Sequence, residues 1–150
     1  MAWQWAEWGE SSVASITTAF FYAIVRKQYH VTWALQGPDR EFPCKRHFML
    51  NKDHSPSREE VAPLASAIGK ILTDLEAHLA DGDKQYILGE QFTFADIPSG
   101  VQINRIMANN AAYAAWFPEL GADRFPHVHR WWLRLCQRPA FAPLAAKFSQ

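Results

Sequence analysis

The chain has 150 residues, a usual length for one domain, and 49% of them are hydrophobic, including seven Trp and ten Phe. This is enough apolar material for a single core, so we expect one domain over residues 1–150. The 15 acidic and 15 basic residues balance to zero formal charge, which argues against nucleic-acid and anionic-membrane partners and favours self-association.

The longest apolar runs are short. They extend from Ala19 to Val25 and from Ala111 to Phe117, whereas a membrane helix needs about 20 apolar residues. The N-terminus carries Glu7 and Glu10 and no basic residue before Arg26, which is opposite to a secretory or mitochondrial leader. We therefore expect a cytoplasmic protein that does not cross a membrane.

Residues 3–27 are predicted to form one long helix. Apolar residues and one serine return every three or four positions and make a stripe: Trp5, Trp8, Ser12, Ile16, Phe20 and Ile24. A second apolar set on the same helix is wider than one packing partner requires: Trp3, Val13, Phe21 and Val25. Burial on most sides and a binding face explain this second set equally well.

The segment 28–56 is predicted to be an irregular insertion, since Gly and Pro residues interrupt it. Its Cys44 could bind a metal together with His47 and His54, or present a thiol of lowered pKa beside the cations Lys45 and Arg46. One cysteine and two histidines fall short of a complete ligand set, so we favour a solvated loop and expect no metal site.

Residues 57–80 have the clearest helical period of the chain. Eight apolar residues share one face and are predicted to be core: Val61, Leu64, Ala65, Ile68, Ile71, Leu72, Leu75 and Leu79. Ser57 and Glu60 are spaced as a capping box at the start, while Pro63 is expected to bend the first turns or delay the start. Gly82 is expected to end the helix in a left-handed conformation.

A further helix is predicted from Thr93 to about residue 109. Thr93 is expected to be its N-cap, with its hydroxyl accepting from the backbone N–H of Asp96 and the Asp96 carboxylate accepting from the N–H of Thr93. Phe92 and Ile97 are spaced as a hydrophobic staple across this start. Such a box and staple fix the direction in which a chain enters a helix.

The body of this helix is expected to contribute to the core. We expect its buried residues to be Ile97, Val101 and either Ile103 or Met107. Gly100 would permit the close approach of a neighbouring helix, and Pro98 is expected to cause a slight bend.

Residues 111–117 can be a short helix or a connector. A last helix is predicted to be entered through Pro126 and to stop before Pro139. The apolar face of that last helix contains Val128, Trp131, Trp132 and Leu135. Three arginines lie on another of its faces, and we prefer a solvated charged surface to nucleic-acid contact for them: Arg130, Arg134 and Arg138.

Catalytic signatures were sought, and the chain contains no nucleophile elbow, phosphate-binding glycine loop or dinucleotide fingerprint. His127 and His129 would point roughly 200° apart on a helix, a poor start for a metal site. Cys136 follows Trp132 by one turn on an apolar helix, where a small buried residue is the safer interpretation than a nucleophile. We therefore predict no catalytic residue.

Four motifs follow one another in a recognisable order. They are Tyr86-Ile87-Leu88-Gly89, Phe92-Thr93-Phe94-Ala95-Asp96-Ile97, Phe125-Pro126-His127-Val128-His129-Arg130-Trp131 and Arg138-Pro139-Ala140-Phe141. This order resembles the all-helical C-terminal domain of the cytosolic glutathione transferase superfamily. The resemblance covers residues 57–148 well and residues 3–27 more loosely, through Trp5-Ala6-Glu7-Trp8.

The resemblance implies an all-α helical bundle. In complete enzymes this domain lines the pocket for a hydrophobic co-substrate, and Trp5, Trp8 and Ser12 match the pocket side of the first helix. Arg105 falls in a stretch where relatives often carry Arg, which implies a structural or pocket-lining role.

In that family a thioredoxin-like N-terminal domain binds glutathione and activates its thiol, and we expect this chain to lack it. Glutathione would then be a co-substrate only if such a domain is supplied, and little conjugation is expected from this chain alone. The alternative is a non-catalytic module for dimerisation, ligand binding or protein interaction. The expected partners are a second copy or a partner domain on the first-helix face, and a hydrophobic small molecule.

Overall fold

A computed structural model describes residues 2–21, 23–24 and 56–147. Every regular element in these ranges is helical, which confirms the all-α class predicted from the sequence. The α-helices are α1 (Ala2–Glu7), α2 (Ala14–Phe21), α3 (Arg58–Ala80), α4 (Asp96–Met107), α5 (Asn110–Trp116), α6 (Pro126–Cys136) and α7 (Ala142–Lys147). A π-helical segment, Trp8–Val13, joins α1 to α2, and two 3₁₀ turns, Pro118–Leu120 and Ala122–Arg124, precede α6.

The predicted first helix is helical from Ala2 to Phe21, but its middle is wound as a π-helix. Wider π turns shift the side chains that follow them relative to an α-helical stripe. The rest of the predicted helix, beyond residue 24, and the metal and thiol alternatives at Cys44, His47 and His54 lie outside the described residues.

Gly9, in the π segment, determines how closely the first helix approaches α4. A Cβ at this position would lie 2.8 Å from the backbone N of Ser99 and 3.1 Å from the carbonyl carbon of Pro98. The Ser99 hydroxyl donates to the carbonyl of Trp5 at 3.4 Å across the same contact. Because backbone meets backbone here, a side chain on residue 9 would push the two helices apart.

Helix α3 is the longest and supplies much of the core. Its start is a capping box, as predicted: the N–H of Ser57 donates to Glu60 Oε2 at 2.7 Å, and the N–H of Glu60 donates to the Ser57 hydroxyl at 3.3 Å. The helix begins at Arg58 although Pro63 lies inside it, so Pro63 does not delay the start. Gly82, at φ 76°, follows the helix end in the predicted left-handed conformation.

The core stripe of α3 is nearly as predicted. Seven of its eight apolar residues are buried, and Ile71 is only partly buried. The largest fully buried side chains from other elements pack around this stripe: Trp131, Tyr113, Phe20, Ile87, Ile103, Ile106 and Leu120.

Helix α4 differs from its prediction in burial. Ile103, Ile106 and Met107 are in the core, whereas Val101 is half-buried and Ile97 is 44% exposed. Ile97 was predicted to be buried, but in the helix, which starts at Asp96, it lies six positions before Ile103, about 240° around the axis, and so on a different face from that core residue. Pro98 is consequently the third residue of the helix, where no intrahelical N–H bond is lost, and the cause of the expected bend is absent.

The C-terminal part of the bundle contains the helices α5 and α6. Residues 110–116 are a helix, α5, rather than a connector. Helix α6 starts at Pro126 and ends before Pro139, as predicted, and it packs closely on α4, since a Cβ on Gly100 would lie 2.6 Å from Leu135 Cδ1. None of the helices in the described ranges has both the length and the apolar character that a membrane span requires.

Two glycines make a matched pair for testing the approach of the first helix to α4. Gly9→Ala forces a methyl group against backbone atoms, and we expect a loss of about 1–3 kcal/mol in the free energy of unfolding. Gly69→Ala in α3 places its Cβ 3.5 Å from Leu120 Cδ2, an ordinary contact. That variant should be unchanged or up to about 1 kcal/mol more stable. Urea unfolding followed by circular dichroism measures both, and equal stabilities of the two variants would contradict the close contact.

Candidate functional site

The Asp96 carboxylate is fully buried and joins three parts of the chain. Its Oδ1 accepts from the backbone N–H of Ile87 and from the indole N–H of Trp131, both at 2.9 Å. Its Oδ2 accepts from the N–H of Thr93 at 2.9 Å and from the Thr93 hydroxyl at 3.2 Å. The start of α4 is thereby bonded both to the preceding loop and to α6.

The bonds at Thr93 are only half of the reciprocal pair expected from the sequence. The carboxylate of Asp96 accepts from the N–H of Thr93, but the Thr93 hydroxyl accepts from Ala95 at 3.3 Å rather than from Asp96. The N–H of Asp96 donates to the carbonyl of Thr93 at 3.1 Å. This backbone bond closes a turn over residues 93–96, so the helix starts after it at Asp96.

Phe92 is held mainly by groups other than the predicted staple partner. Its ring meets that of Tyr86 edge-on, with centroids 5.8 Å apart, and the guanidinium of Arg138 lies 3.7 Å from its centroid. Ile97 is 44% exposed, so it buries little side-chain area that could form a hydrophobic staple with Phe92.

The two tryptophans proposed as pocket residues pack internally. Trp5 lies 4.4 Å from the ring of His78 and 5.2 Å, edge-on, from the ring of Trp8, measured between centroids. Both indoles are partly buried against the core. The side chain of Ser12, the third residue of this set, lies outside the described atoms.

Arg105 also makes internal contacts. Its Nη1 donates to the Thr18 hydroxyl at 2.5 Å and to Gln102 Oε1 at 2.7 Å. The same amide oxygen accepts from the buried hydroxyl of Thr17 at 3.0 Å. The guanidinium thus joins α4 to α2. Of the two roles expected for Arg105, structural or pocket-lining, these contacts favour the structural one.

An open cleft lies on another side of the first helix, and we call it the first-helix cleft. It has a volume of about 510 Å³ and is lined by Trp3, Ala6, Glu7, Glu10, Ser11 and Phe94. Trp3 is 77% exposed and Phe94 is 49% exposed, and their ring centroids lie 5.4 Å apart. Trp3 was visible in the sequence as part of the second apolar set, whereas Phe94 was not singled out. The signal that could have identified Phe94 is its position in the turn before α4, where the sequence predicts helix instead.

A smaller cavity of about 370 Å³ lies near α5 and is lined by Arg58, Ala115, Trp116 and Pro118. The guanidinium of Arg58 is 5.4 Å from the centroid of Phe117. No residue singled out from the sequence for ligand binding lines this cavity.

The two histidines of α6 have separate structural roles. Glu76 accepts from the backbone N–H groups of His127 and Val128 and approaches His127 Nδ1 at 2.6 Å, so its carboxylate caps the first turn of α6. His129 stacks on Trp132, with centroids 5.8 Å apart. Across residues 2–21, 23–24 and 56–147, no group of three or more His, Cys, Asp or Glu side chains is arranged to hold a metal.

Two further groups, the Cys136 thiol and the Tyr113 phenol, are of the type that can act as a nucleophile or an acid. Desolvation by burial raises the pKa of the half-buried Cys136 thiol and, more strongly, that of the Tyr113 phenol. The Tyr113 hydroxyl is buried and has no hydrogen-bond partner in the described part of the chain. A raised pKa disfavours the thiolate and the phenolate, so neither group is an activated nucleophile.

The raised pKa of Cys136 predicts slow alkylation. At pH 7.5 its thiolate fraction is below that of an unperturbed cysteine, and iodoacetamide should react more slowly with Cys136 than with the cysteine of a short unstructured peptide. Mass spectrometry of the Cys44→Ser variant follows Cys136 alone. A rate faster than that of the peptide cysteine would contradict this assignment.

Comparison with known families gives one match. The family model described as "Glutathione S-transferase, C-terminal domain" matches residues 14–139, which is most of the chain. Comparisons with curated proteins and with solved structures gave no significant match. The match includes the turn and helix built around Asp96 and ends at Pro139, three residues beyond the end of α6. The chain therefore belongs to the glutathione S-transferase family through its C-terminal helical domain.

Proposed function

We propose that this chain is a ligand-holding helical domain of the glutathione transferase type, and that its apolar ligand occupies the first-helix cleft. In complete enzymes of the family, the corresponding domain lines the pocket for the hydrophobic co-substrate. The observation that carries the proposal is the pair of exposed rings, Trp3 and Phe94, at an open cleft beside the first helix.

The size and lining of the cleft support this role. Small-molecule sites commonly measure about 300–1,000 Å³ and combine aromatic walls with a few polar groups. The first-helix cleft, at about 510 Å³, is within that range and has two aromatic walls and three polar side chains. A ligand that covered the exposed ring of Trp3 would remove a large apolar area from water, which is favourable.

The proposed ligand site is not the one expected from the sequence. Trp5, Trp8 and Arg105 make internal contacts, so their part is to support the first helix and α4 from behind. The ligand would instead contact Trp3 and Phe94 on the open side.

The proposed contribution of this chain to conjugation is binding and orientation. A glutathione thiolate would attack an electrophile held in the cleft, and the thiol would be bound and activated by a thioredoxin-like domain. Glutathione is therefore proposed as a co-substrate only in combination with such a domain. We place this function in the cytoplasm, where free cysteines persist in reduced form.

A neutral fluorescent probe tests the site. We expect the full chain to bind N-phenyl-1-naphthylamine, and Trp3→Ala to weaken binding by about tenfold, because the variant removes the larger aromatic wall. Leu133→Ala is the matched control, since Leu133 is 43% exposed on α6 and does not line the cleft. The titration is followed by probe fluorescence. Equal loss in both variants, or no binding by the unaltered chain, would contradict the proposed site.

A second candidate is a non-catalytic interaction module, in which the same surface meets a second copy of the chain or a partner domain. The exposure of Ile97 in the first turn of α4, close in sequence to Phe94, favours it because it adds an aliphatic residue to the exposed apolar surface. Sedimentation velocity distinguishes the candidates: a dimer that Trp3→Ala converts to monomer supports this one, and a monomer for the unaltered chain rejects the homodimer form.

A further inference from the structure

We propose that the first-helix cleft selects apolar ligands that carry a positive charge, such as aralkylammonium ions. The inference rests on the proposed function, in which the cleft holds an apolar ligand, and adds the charge of that ligand. It is argued from the two kinds of side chain that line the cleft.

The aromatic part of the lining suits a cation as well as an apolar group. The rings of Trp3 and Phe94 meet at an interplanar angle of 57°, with centroids 5.4 Å apart, so they form a corner rather than a flat stack. In such a corner the apolar body of a ligand can cover one ring while its ammonium group lies over the other. An ammonium within about 6 Å of an aromatic centroid is attracted by the negative face of the ring.

The polar part of the lining is acidic. Glu7, at the end of α1, and Glu10, in the π-helical segment, both line the cleft and are exposed, so two carboxylates border the same cleft. Within the described ranges, neither carboxylate accepts a hydrogen bond or takes part in an ion pair. The Ser11 hydroxyl beside them donates to the backbone carbonyl of Glu7, at 2.6 Å, and not to a carboxylate.

Among the described lining residues, the negative charge of the cleft has no basic counterpart. None of the six lining residues is basic, and the sequence has no Lys or Arg before Arg26. The whole chain has zero formal net charge, so this is a local excess and not a general property of the surface. A cation would meet both attraction and apolar contact here, a neutral ligand would meet apolar contact only, and an anion would be repelled.

A series of three ligands of similar size separates these cases. The probes are 2-phenylethylammonium, 2-phenylethanol and 3-phenylpropanoate, titrated into the full chain at pH 7 and low ionic strength by NMR. We expect the cation to bind about tenfold more tightly than the alcohol and the carboxylate to bind most weakly. Raising the salt to about 0.5 M should reduce the preference for the cation, because exposed charges are screened.

The double variant Glu7→Gln with Glu10→Gln tests the carboxylates. It should bring the affinity for the cation within about twofold of the affinity for the alcohol, and the affinity for the alcohol should not change. Glu119→Gln is the control, since Glu119 is exposed in a 3₁₀ turn and does not line the cleft. Circular dichroism and thermal melting confirm that the variants are folded.

The outcomes separate this inference from the function on which it rests. If the unaltered chain binds the cation and the alcohol equally, the inference is overturned and the proposed function stands. If none of the three probes binds, the proposed function fails, and the inference fails with it. A cation preference that survives the double variant, or one that Glu119→Gln abolishes as strongly, also overturns the inference, since the charge would then act from elsewhere.

Discussion

In the part of the chain that the structure describes, one fully buried carboxylate joins three separate segments. Asp96 lies at the start of α4, and its two oxygens accept from Ile87, Trp131 and Thr93. A buried N–H without an acceptor costs about 1–3 kcal/mol, so these donors strongly favour an acceptor at this place. The negative group also faces the positive end of the α4 dipole, which adds to its stabilisation. The position of α4 against the preceding loop and α6 follows from these bonds.

The turn before α4 has one side chain in the core and another at the surface. Residues 93–96 direct the carboxylate of Asp96 inwards and leave Phe94 half-exposed, in contact with the ring of Trp3. Gly9 brings the first helix into backbone contact with the first turn of α4, at Pro98 and Ser99. The first-helix cleft is therefore bordered by two elements whose relative position is fixed by close packing. Such a rigid frame lowers the ordering cost that a ligand would otherwise meet on binding.

The sequence predicts the parts of this fold that depend on local patterns. The period of α3, its Ser57–Glu60 box and the stop at Gly82 are all found, because each is set by residues close together in the chain. The predicted start of α4 at Thr93 is too early, because a backbone turn closes over residues 93–96 and the Asp96 carboxylate also accepts from Ile87 and from the distant Trp131, partners that a local pattern does not contain. The cleft was missed for a related reason. Whether Trp3 or Trp5 faces solvent depends on the π segment and on the contact between the first helix and α4. Neither of these can be predicted from helical periodicity.

The central claim is that Asp96, and not the threonine of the supposed box, holds α4 in the bundle. Urea unfolding of Asp96→Asn and Thr93→Ala tests it most directly. Asparagine keeps one acceptor oxygen but turns an amide donor towards the N–H of Thr93, so its loss in unfolding free energy should be about 3 kcal/mol or more. Removing the Thr93 hydroxyl, which bonds to the N–H of Ala95 and to the Asp96 carboxylate, should cost only about 1 kcal/mol. The account predicts this order, and an Asp96→Asn variant as stable as Thr93→Ala would contradict it.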